Sequence, residues 1–423
     1  MMQKKILYLR TDLCDKPLIA GGSVAHTLGV IEGFLSLGYS VLCASSLMHD
    51  SLKKMPLDAL YTLANPRLVH FLRWKINCLL SSFFFTLQTM RFIRKEKIDF
   101  IYQRYSLLNC TGILLSRLKK VPCILEYNGS EVWVDRYWTK KHWLSLTWLI
   151  KLIEHINLNY AHLIVVVSKP LKDELIARGY PSSKILVNPN GVNTQFYNPH
   201  ALTNERSFIR EKLGITNNFV FGFIGTFSAW HGIEMMAAII PEIIAQKKNA
   251  HFLLIGDGPL FTYFYTTIQE FIKSGQVTCT GIIAQHQSRE YLAACDAFLC
   301  PTQPNPDGTP FFGSPTKIFE YLSMGKPIIA SNLDQVGELI SPAFTLNNLK
   351  ENNIHLSNQI GFAIPATDKN AFIKAACLLI DFHEPDRFIM GDYARKKAME
   401  NHDWQHHVTK IILEIKNKGV ECS

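Results

Sequence analysis

The chain has 423 residues and a net charge of +9, with 48% of its residues hydrophobic and 19% charged. That length exceeds one ordinary core and fits two domains of roughly 200 residues each, and the composition excludes a disordered chain. The two longest apolar stretches, residues 78–87 and 142–153, are short or broken by charge, so no bilayer-spanning segment is predicted.

From the N-terminus, residues 4–10 (KKILYLR) read as an apolar strand, too short for the core of a signal peptide and without a cleavage site after it. The pair Gly21-Gly22 marks a turn, a helix runs from Ser23 to about Leu37, and Gly38 closes it. Further strands are predicted at 39–45, 98–104, 122–127 and 162–168. The second half repeats the scheme at 219–225, 251–256, 277–281, 297–301 and 327–331. Short apolar strands separated by helices mean parallel sheets covered on both faces. The expected fold class is therefore α/β, with two Rossmann-like domains over residues 1–200 and 201–404. A last helix from about residue 405 to the C-terminus would pack back on the first domain. Ten scattered cysteines contain no CxxC pair, which argues against a zinc or redox motif and for a reducing, cytoplasmic setting.

The charge is uneven. Residues 1–200 hold 25 Lys and Arg against 13 Asp and Glu, and the remainder holds 19 against 22. Basic and aromatic residues interleave in the first half: Arg73, Trp74 and Lys75, then Arg136, Tyr137, Trp138, Lys140, Lys141 and Trp143. Such a surface suits an anionic membrane face, so peripheral attachment is one expectation; a solvated basic face gives the same count. No nucleic-acid motif accompanies the charge, and no nucleic-acid partner is expected.

The chemistry concentrates in residues 311–331, FFGSPTKIFEYLSMGKPIIAS. Ser314 is a good helix cap, with Pro315 at the first helical position. Gly313, Ser314, Pro315 and Thr316 thus open onto a helix N-terminus, a ready anion site. Lys317 lies in the first turn, where a cation is unfavourable unless an anion is near. Glu320, three residues on, falls on the same side. A cation for phosphate and a carboxylate for ribose hydroxyls fit a nucleoside diphosphate; an exposed salt-bridging pair is the plainer alternative. Gly256 and Gly258 in LIGDGP, and Gly225 after FVFGFI, lie at the carboxyl ends of strands, where open α/β sheets bind ligands. Gly281 and Ile282 follow the strand at 277 in the same way, and Gly21, Gly22 and Ser23 offer backbone N–H groups in the first domain.

These segments in this order resemble the family 4 glycosyltransferases, which have the GT-B fold. The resemblance runs from the Gly-Gly loop through residues 165–199 (VVVSKPLKDELIARGYPSSKILVNPNGVNTQFYNP), 254–259, 295–301 and 317–331 to His402-Asp403-Trp404. It implies two facing domains with a deep cleft. It further implies a retaining, metal-independent transfer from a nucleoside-diphosphate sugar to a saccharide or lipid-linked acceptor, with no cofactor. The donor would lie on the second domain and the acceptor on the first. The chain departs from the family where a cationic pair is usual: Thr226 and His231 stand there instead, and Phe312 replaces the first of two paired glutamates. In this Ser-Pro-x-Lys-x-x-Glu-Tyr variant, Lys317 is the natural replacement cation and His231 a helper if protonated. In the first domain, Asn128 and Glu131 of EYNGSEVW would meet the acceptor, with Arg104 and Tyr105 nearby; an Asn-Gly turn with a capping Ser-Glu is the alternative. His402, His406 and His407 are discounted as a metal cluster. A nucleotide-sugar 2-epimerase and a non-catalytic nucleotide-sugar-binding or scaffold subunit are the competing readings.

Overall fold

The computed structural model describes residues 4–13, 21–47, 49–65, 74–134, 136–137, 146–351 and 358–419. Arg73, Trp138, Lys140, Lys141 and Trp143 lie outside the described residues.

The chain forms two compact units. The first contains the N-terminal half to Pro189 and the final segment from Trp404; the second contains Asn190–Asp403 together with Gly21 to His26. The change-over thus falls at residue 190, earlier than the sequence places it. Local bonding explains the shift: Val192 N donates to His402 O at 2.8 Å, and Thr194 Oγ1 donates to Asp403 Oδ2 at 2.8 Å.

The first unit is built on seven strands: β1 (Lys5–Arg10), β2 (Ser40–Ser45), β3 (Ala59–Thr62), β4 (Phe100–Arg104), β5 (Cys123–Tyr127), β6 (Leu163–Val166) and β7 (Ile185–Val187). They are parallel throughout, in the order β3-β2-β1-β4-β5-β6-β7. The second unit has six parallel strands: β8 (Phe219–Ile224), β9 (Ala250–Ile255), β10 (Val277–Cys279), β11 (Ala297–Cys300), β12 (Ile328–Ser331) and β13 (Gly361–Ile364). Their order is β10-β9-β8-β11-β12-β13. Sequence reading missed β3, β7 and β13. Each is an edge strand of three or four residues, with too little apolar run to register.

Alternation along β8 shows why both faces are covered. Phe219, Phe221 and Phe223 enter one apolar cluster with the helices Ile233–Gln246 and Lys369–Asp381. Val220 joins Leu253, Phe298 and Ile328 on the other face, against the helix Thr316–Ser323. The strand order reverses direction beside β8 and β11, and beside β1 and β4; ligand crevices of such sheets open at those points. The last helix, Trp404–Asn417, buries Trp404, Val408, Ile411 and Ile415 against Val30, Ile31 and Phe34 of the first unit. The Trp404 ring lies where a side chain on Gly29 would have to sit.

Candidate active site

The helix Thr316–Ser323 is fixed under the second sheet by Tyr321. Its ring stacks on Phe298 with centroids 4.1 Å apart, and its hydroxyl accepts from Ile224 N at 2.9 Å. The helix start is thereby held at the end of β8. Sequence reading places the cap at Ser314 and the first helical residue at Pro315. The structure corrects both: Pro315 is the cap, offers no side-chain hydrogen bond, and Thr316 begins the helix. The reason is competition for Ser314. Its hydroxyl accepts from Asn190 N at 3.2 Å and its carbonyl from Asn190 Nδ2 at 2.6 Å. The first backbone N–H groups of a helix have no partner in its own ladder, and here no cap side chain takes them.

Lys317 and Glu320 are both buried, at 5% and 6% exposure, so the exposed salt-bridging pair is ruled out. Among the described residues, Lys317 Nζ has no hydrogen-bond partner; it sits 4.1 Å over the ring of Phe223. Burial lowers its pKa to about 8, with Cys300 and Glu320 acting in the other direction. Burial raises the Glu320 carboxyl to about 7, opposed by a hydrogen bond from Tyr197 and by the Lys317 charge. An unpartnered buried ammonium is costly unless an anion joins it.

His231 is also buried. Its Nδ1 donates to Thr226 O at 2.5 Å, since a carbonyl only accepts. Burial, and then the Lys317 charge, hold it well below the usual histidine range. The ring is therefore neutral, with Nε2 left as an acceptor, and the expected protonated helper is not what the electrostatics favour. Thr226 itself is exposed at the end of β8, and Phe312 is buried.

The glycines pack the strand ends together. Gly225 has φ +152°, and a side-chain carbon there would lie 3.0 Å from Lys317 Nζ. Gly256, at φ +136°, would drive one into Gly225 O, and its N–H donates to Gly281 O at 3.0 Å. Gly258 N–H turns back to Asp257 Oδ1, and Ile282 stands 63% exposed just beyond Gly281. Gly313 is half-buried. Gly21 and Gly22 group with this unit: Gly21 N donates to Gln285 Oε1 at 3.3 Å, and a side-chain carbon on Gly22 would come 2.9 Å from Thr316 Oγ1. Ser23 follows them in the first turn of the helix Gly22–Ser36. Three residues given no role from sequence also shape the site. Asn190 holds Ser314, Phe223 supports Lys317, and the Tyr197 hydroxyl meets Ser288 at 2.9 Å beside Glu320. Asn190 and Tyr197 lie inside the 165–199 signature, the one signal that could have found them.

In the first unit, Thr11, Asp12, Arg104, Tyr105, Asn128 and Glu131 line a cavity of about 300 Å³ at the carboxyl ends of β1, β4 and β5. Asn128 and Glu131 are thus brought together. Beneath them lies a buried carboxylate missed from sequence. Glu126 accepts from Arg104 Nη1 at 3.1 Å, Tyr102 Oη at 2.8 Å and Asn128 Nδ2 at 2.5 Å. His402 packs edge-on against Phe319, and His407 Nδ1 donates to Pro189 O at 2.8 Å.

Residues 20–196 match the family model described as Glycosyltransferase Family 4, and residues 218–381 match Glycosyl transferases group 1. Two parallel Rossmann-like sheets with these matches define a glycosyltransferase of the GT-B fold. Within that class, the chain belongs with the family 4 glycosyltransferases. It is 25% identical over 330 residues to UDP-Gal:alpha-D-GlcNAc-diphosphoundecaprenol alpha-1,3-galactosyltransferase of Escherichia coli, covering 76% of each chain. With alpha-monoglucosyldiacylglycerol synthase of Acholeplasma laidlawii it shares 24% identity, covering 67% of this chain and 71% of that one. A putative teichuronic acid biosynthesis glycosyltransferase of Bacillus subtilis is 28% identical over 153 residues, a match spanning only 36% of that protein's length. Among solved structures, HepE of Anabaena in complex with UDP-glucose superposes with a TM-score of 0.67 at 18% identity, over 98% of this chain and 99% of that one.

Proposed function

We propose that this chain transfers a sugar, with retention and without a metal ion, from a UDP-type nucleoside-diphosphate sugar to a saccharide or lipid-linked acceptor in surface polysaccharide or glycolipid synthesis. The observation that carries the reading is Lys317, a buried ammonium without a hydrogen-bond partner, beside Gly225 at an uncapped helix start. The donor diphosphate would accept from Lys317 Nζ and from the first N–H groups of the helix, which stabilise the charge that develops as the bond to the sugar breaks. The Glu320 carboxylate would accept from ribose hydroxyls. The neutral His231 ring would shape the site without adding charge. Gly256, Gly258, Gly281, Ile282 and the Gly21-Gly22-Ser23 turn would line the nucleotide and sugar. Asn128 and Glu131, with Arg104 and Tyr105, would receive the acceptor in the first-unit cavity. The complexes of HepE with UDP and with UDP-glucose support the donor class. The lipid-linked substrates named for the Escherichia coli and Acholeplasma relatives support the acceptor class. Work on a lipid-linked acceptor would place the protein at the cytoplasmic face of a membrane, held by its basic first half.

Titration calorimetry of the full chain with UDP and UDP-glucose tests the reading. Saturable binding is expected, and Lys317→Ala should remove both binding and slow donor hydrolysis; no binding by the wild-type chain would overturn it. Gly225→Ala is expected to weaken UDP binding by roughly tenfold or more, through the strained backbone and the crowding of Lys317. Unchanged affinity in that variant would mean that the diphosphate lies elsewhere.

A further inference from the structure

We infer that the outer face formed by the helices Trp74–Phe92, Thr111–Lys119 and Thr147–Tyr160 docks on an anionic lipid surface, inserting Phe83, Leu118 and Trp148. This specifies the membrane attachment named above and does not depend on which nucleotide sugar the second unit takes.

The first of these helices carries large apolar side chains on its outer face as well as on its buried one, where Cys78 and Phe85 lie. A surface helix normally turns its apolar stripe to the core and its polar residues to water. Here Ser81, Ser82 and Thr86 are buried, and their hydroxyls are consumed internally. Ser81 Oγ donates to Cys78 O at 2.5 Å, Thr86 Oγ1 donates to Ser82 O at 2.6 Å, and Ser82 Oγ accepts from Cys110 N at 2.7 Å. Ile76, Phe83 and Leu87, spaced seven and four residues apart, share the opposite face, with Phe83 59% exposed.

The neighbouring helices continue the surface. Leu114 and Leu118 are one helical turn apart and exposed, Leu118 by 62%; Trp148 and Leu152 are likewise, Trp148 by 65%. Ser82 and Cys110 tie the first helix to the second. The guanidinium of Arg117, 4.6 Å over the Tyr160 ring, ties the second to the third. Exposed large apolar side chains grouped on three linked helices point to an interaction site.

Charge selects the occupant. Residues 74–120 contain nine Lys and Arg against two Asp and Glu. Both acids are already engaged by Lys5: its Nζ meets Glu96 at 2.8 Å, and Asp99 accepts from its backbone N–H at 2.7 Å. On the third helix Lys151 is exposed, while Glu154 is buried against Arg178 at 2.6 Å. Among the described residues of these three helices and of the segment 93–120, the charges left facing solvent around the apolar stripe are therefore basic: Arg91, Arg94, Lys95, Arg117, Lys120 and Lys151. Apolar insertion combined with attraction to anionic headgroups is how a protein binds an interface without spanning it, and no described helix is long and apolar enough to cross a membrane.

Co-sedimentation of the full chain with vesicles tests this. The wild-type chain should pellet with phosphatidylcholine vesicles containing phosphatidylglycerol, should not pellet with phosphatidylcholine alone, and should be released by high salt. Phe83→Ser with Leu118→Ser should lower partitioning by roughly tenfold or more, and so should Arg94→Glu with Lys95→Glu, all with unchanged melting by circular dichroism. A wild-type chain that ignores phosphatidylglycerol vesicles, or serine variants that sediment like wild type, would overturn the inference. So would serine variants that only convert a dimer to a monomer in sedimentation velocity, since the face would then belong to a second copy of the chain.

Discussion

Replacing Lys317 with methionine is expected to abolish nucleotide-sugar binding and, at pH 7, to make the ligand-free protein more stable. Burial lowers the lysine from 10.5 to about 8, so below pH 8 the folded chain holds a charge that the unfolded chain carries at no cost. A displacement of this size corresponds to about 3 kcal/mol, and methionine fills a similar volume without a charge. Because the folded-state pKa is depressed, the penalty is full below about pH 8 and disappears as the pH rises towards 10.5. Thermal unfolding should therefore show Lys317→Met several degrees above wild type at pH 7, with the gap narrowing by pH 9.5. Binding of UDP-glucose should fall by at least about 100-fold, the expected cost of removing one partner of a buried charge pair. A variant that is less stable than wild type at pH 7, or that keeps its affinity, would remove Lys317 from the donor site.

Affinity for UDP-glucose should be highest between about pH 7 and 8 and fall on both sides. The diphosphate of a nucleotide sugar does not titrate there, so the limbs report on the protein. On the alkaline side Lys317 loses its proton near 8. On the acid side Glu320 gains one near 7 and loses an acceptor for the ribose. Glu320→Gln should flatten the acid limb and lower the plateau by roughly 10- to 100-fold, the range for a hydrogen bond to a charged group. The stability effect has its own sign. The folded pKa of Glu320 is raised from 4.5 to about 7, so the cost of its buried carboxylate appears as the pH rises through that interval. Glu320→Gln should be neutral to stability below pH 4.5 and stabilising above pH 7. An acid limb that persists in Glu320→Gln would assign it to another group.

Both expectations depend on burial, and burial is what the local pattern could not supply. Residues 314–325 read as a capped helix with a cation in its first turn, and that much is sequence-local. Whether Lys317 and Glu320 form a solvated ion pair or two separated buried charges depends on where the helix lies. Tyr321 decides this by stacking on Phe298 and accepting from Ile224 N, residues 23 and 97 positions away in the chain. The same separation explains the misplaced cap. Ser314 has the right chemistry to cap its own helix, but Asn190, 124 residues earlier, takes both its hydroxyl and its carbonyl.

His231 shows a related limit. Its replacement of a usual family lysine is visible in sequence, and protonation would have restored the charge. Burial and then the nearness of Lys317 keep the ring neutral instead, outweighing the contact with Thr226 O, which only sets the tautomer. In the first unit, Asn128 is legible as a turn residue, whereas Glu126 reads as one more position of an apolar strand. Only pairing of β5 with β4 brings Arg104 and Tyr102 to its carboxylate.

By itself, the sequence determined the two parallel-sheet units, their central strands, the glycines at the strand ends and the family, because hydrophobic period, turn chemistry and motif order are properties of neighbouring residues. Tertiary structure decided the edge strands β3, β7 and β13, the change-over at residue 190, the burial of Lys317 and Glu320 and the neutrality of His231. It also decided the outward turn of Phe83, Leu118 and Trp148. Each of these depends on a dielectric environment or on a partner from a distant segment, and neither is encoded within the reach of a single helix or strand.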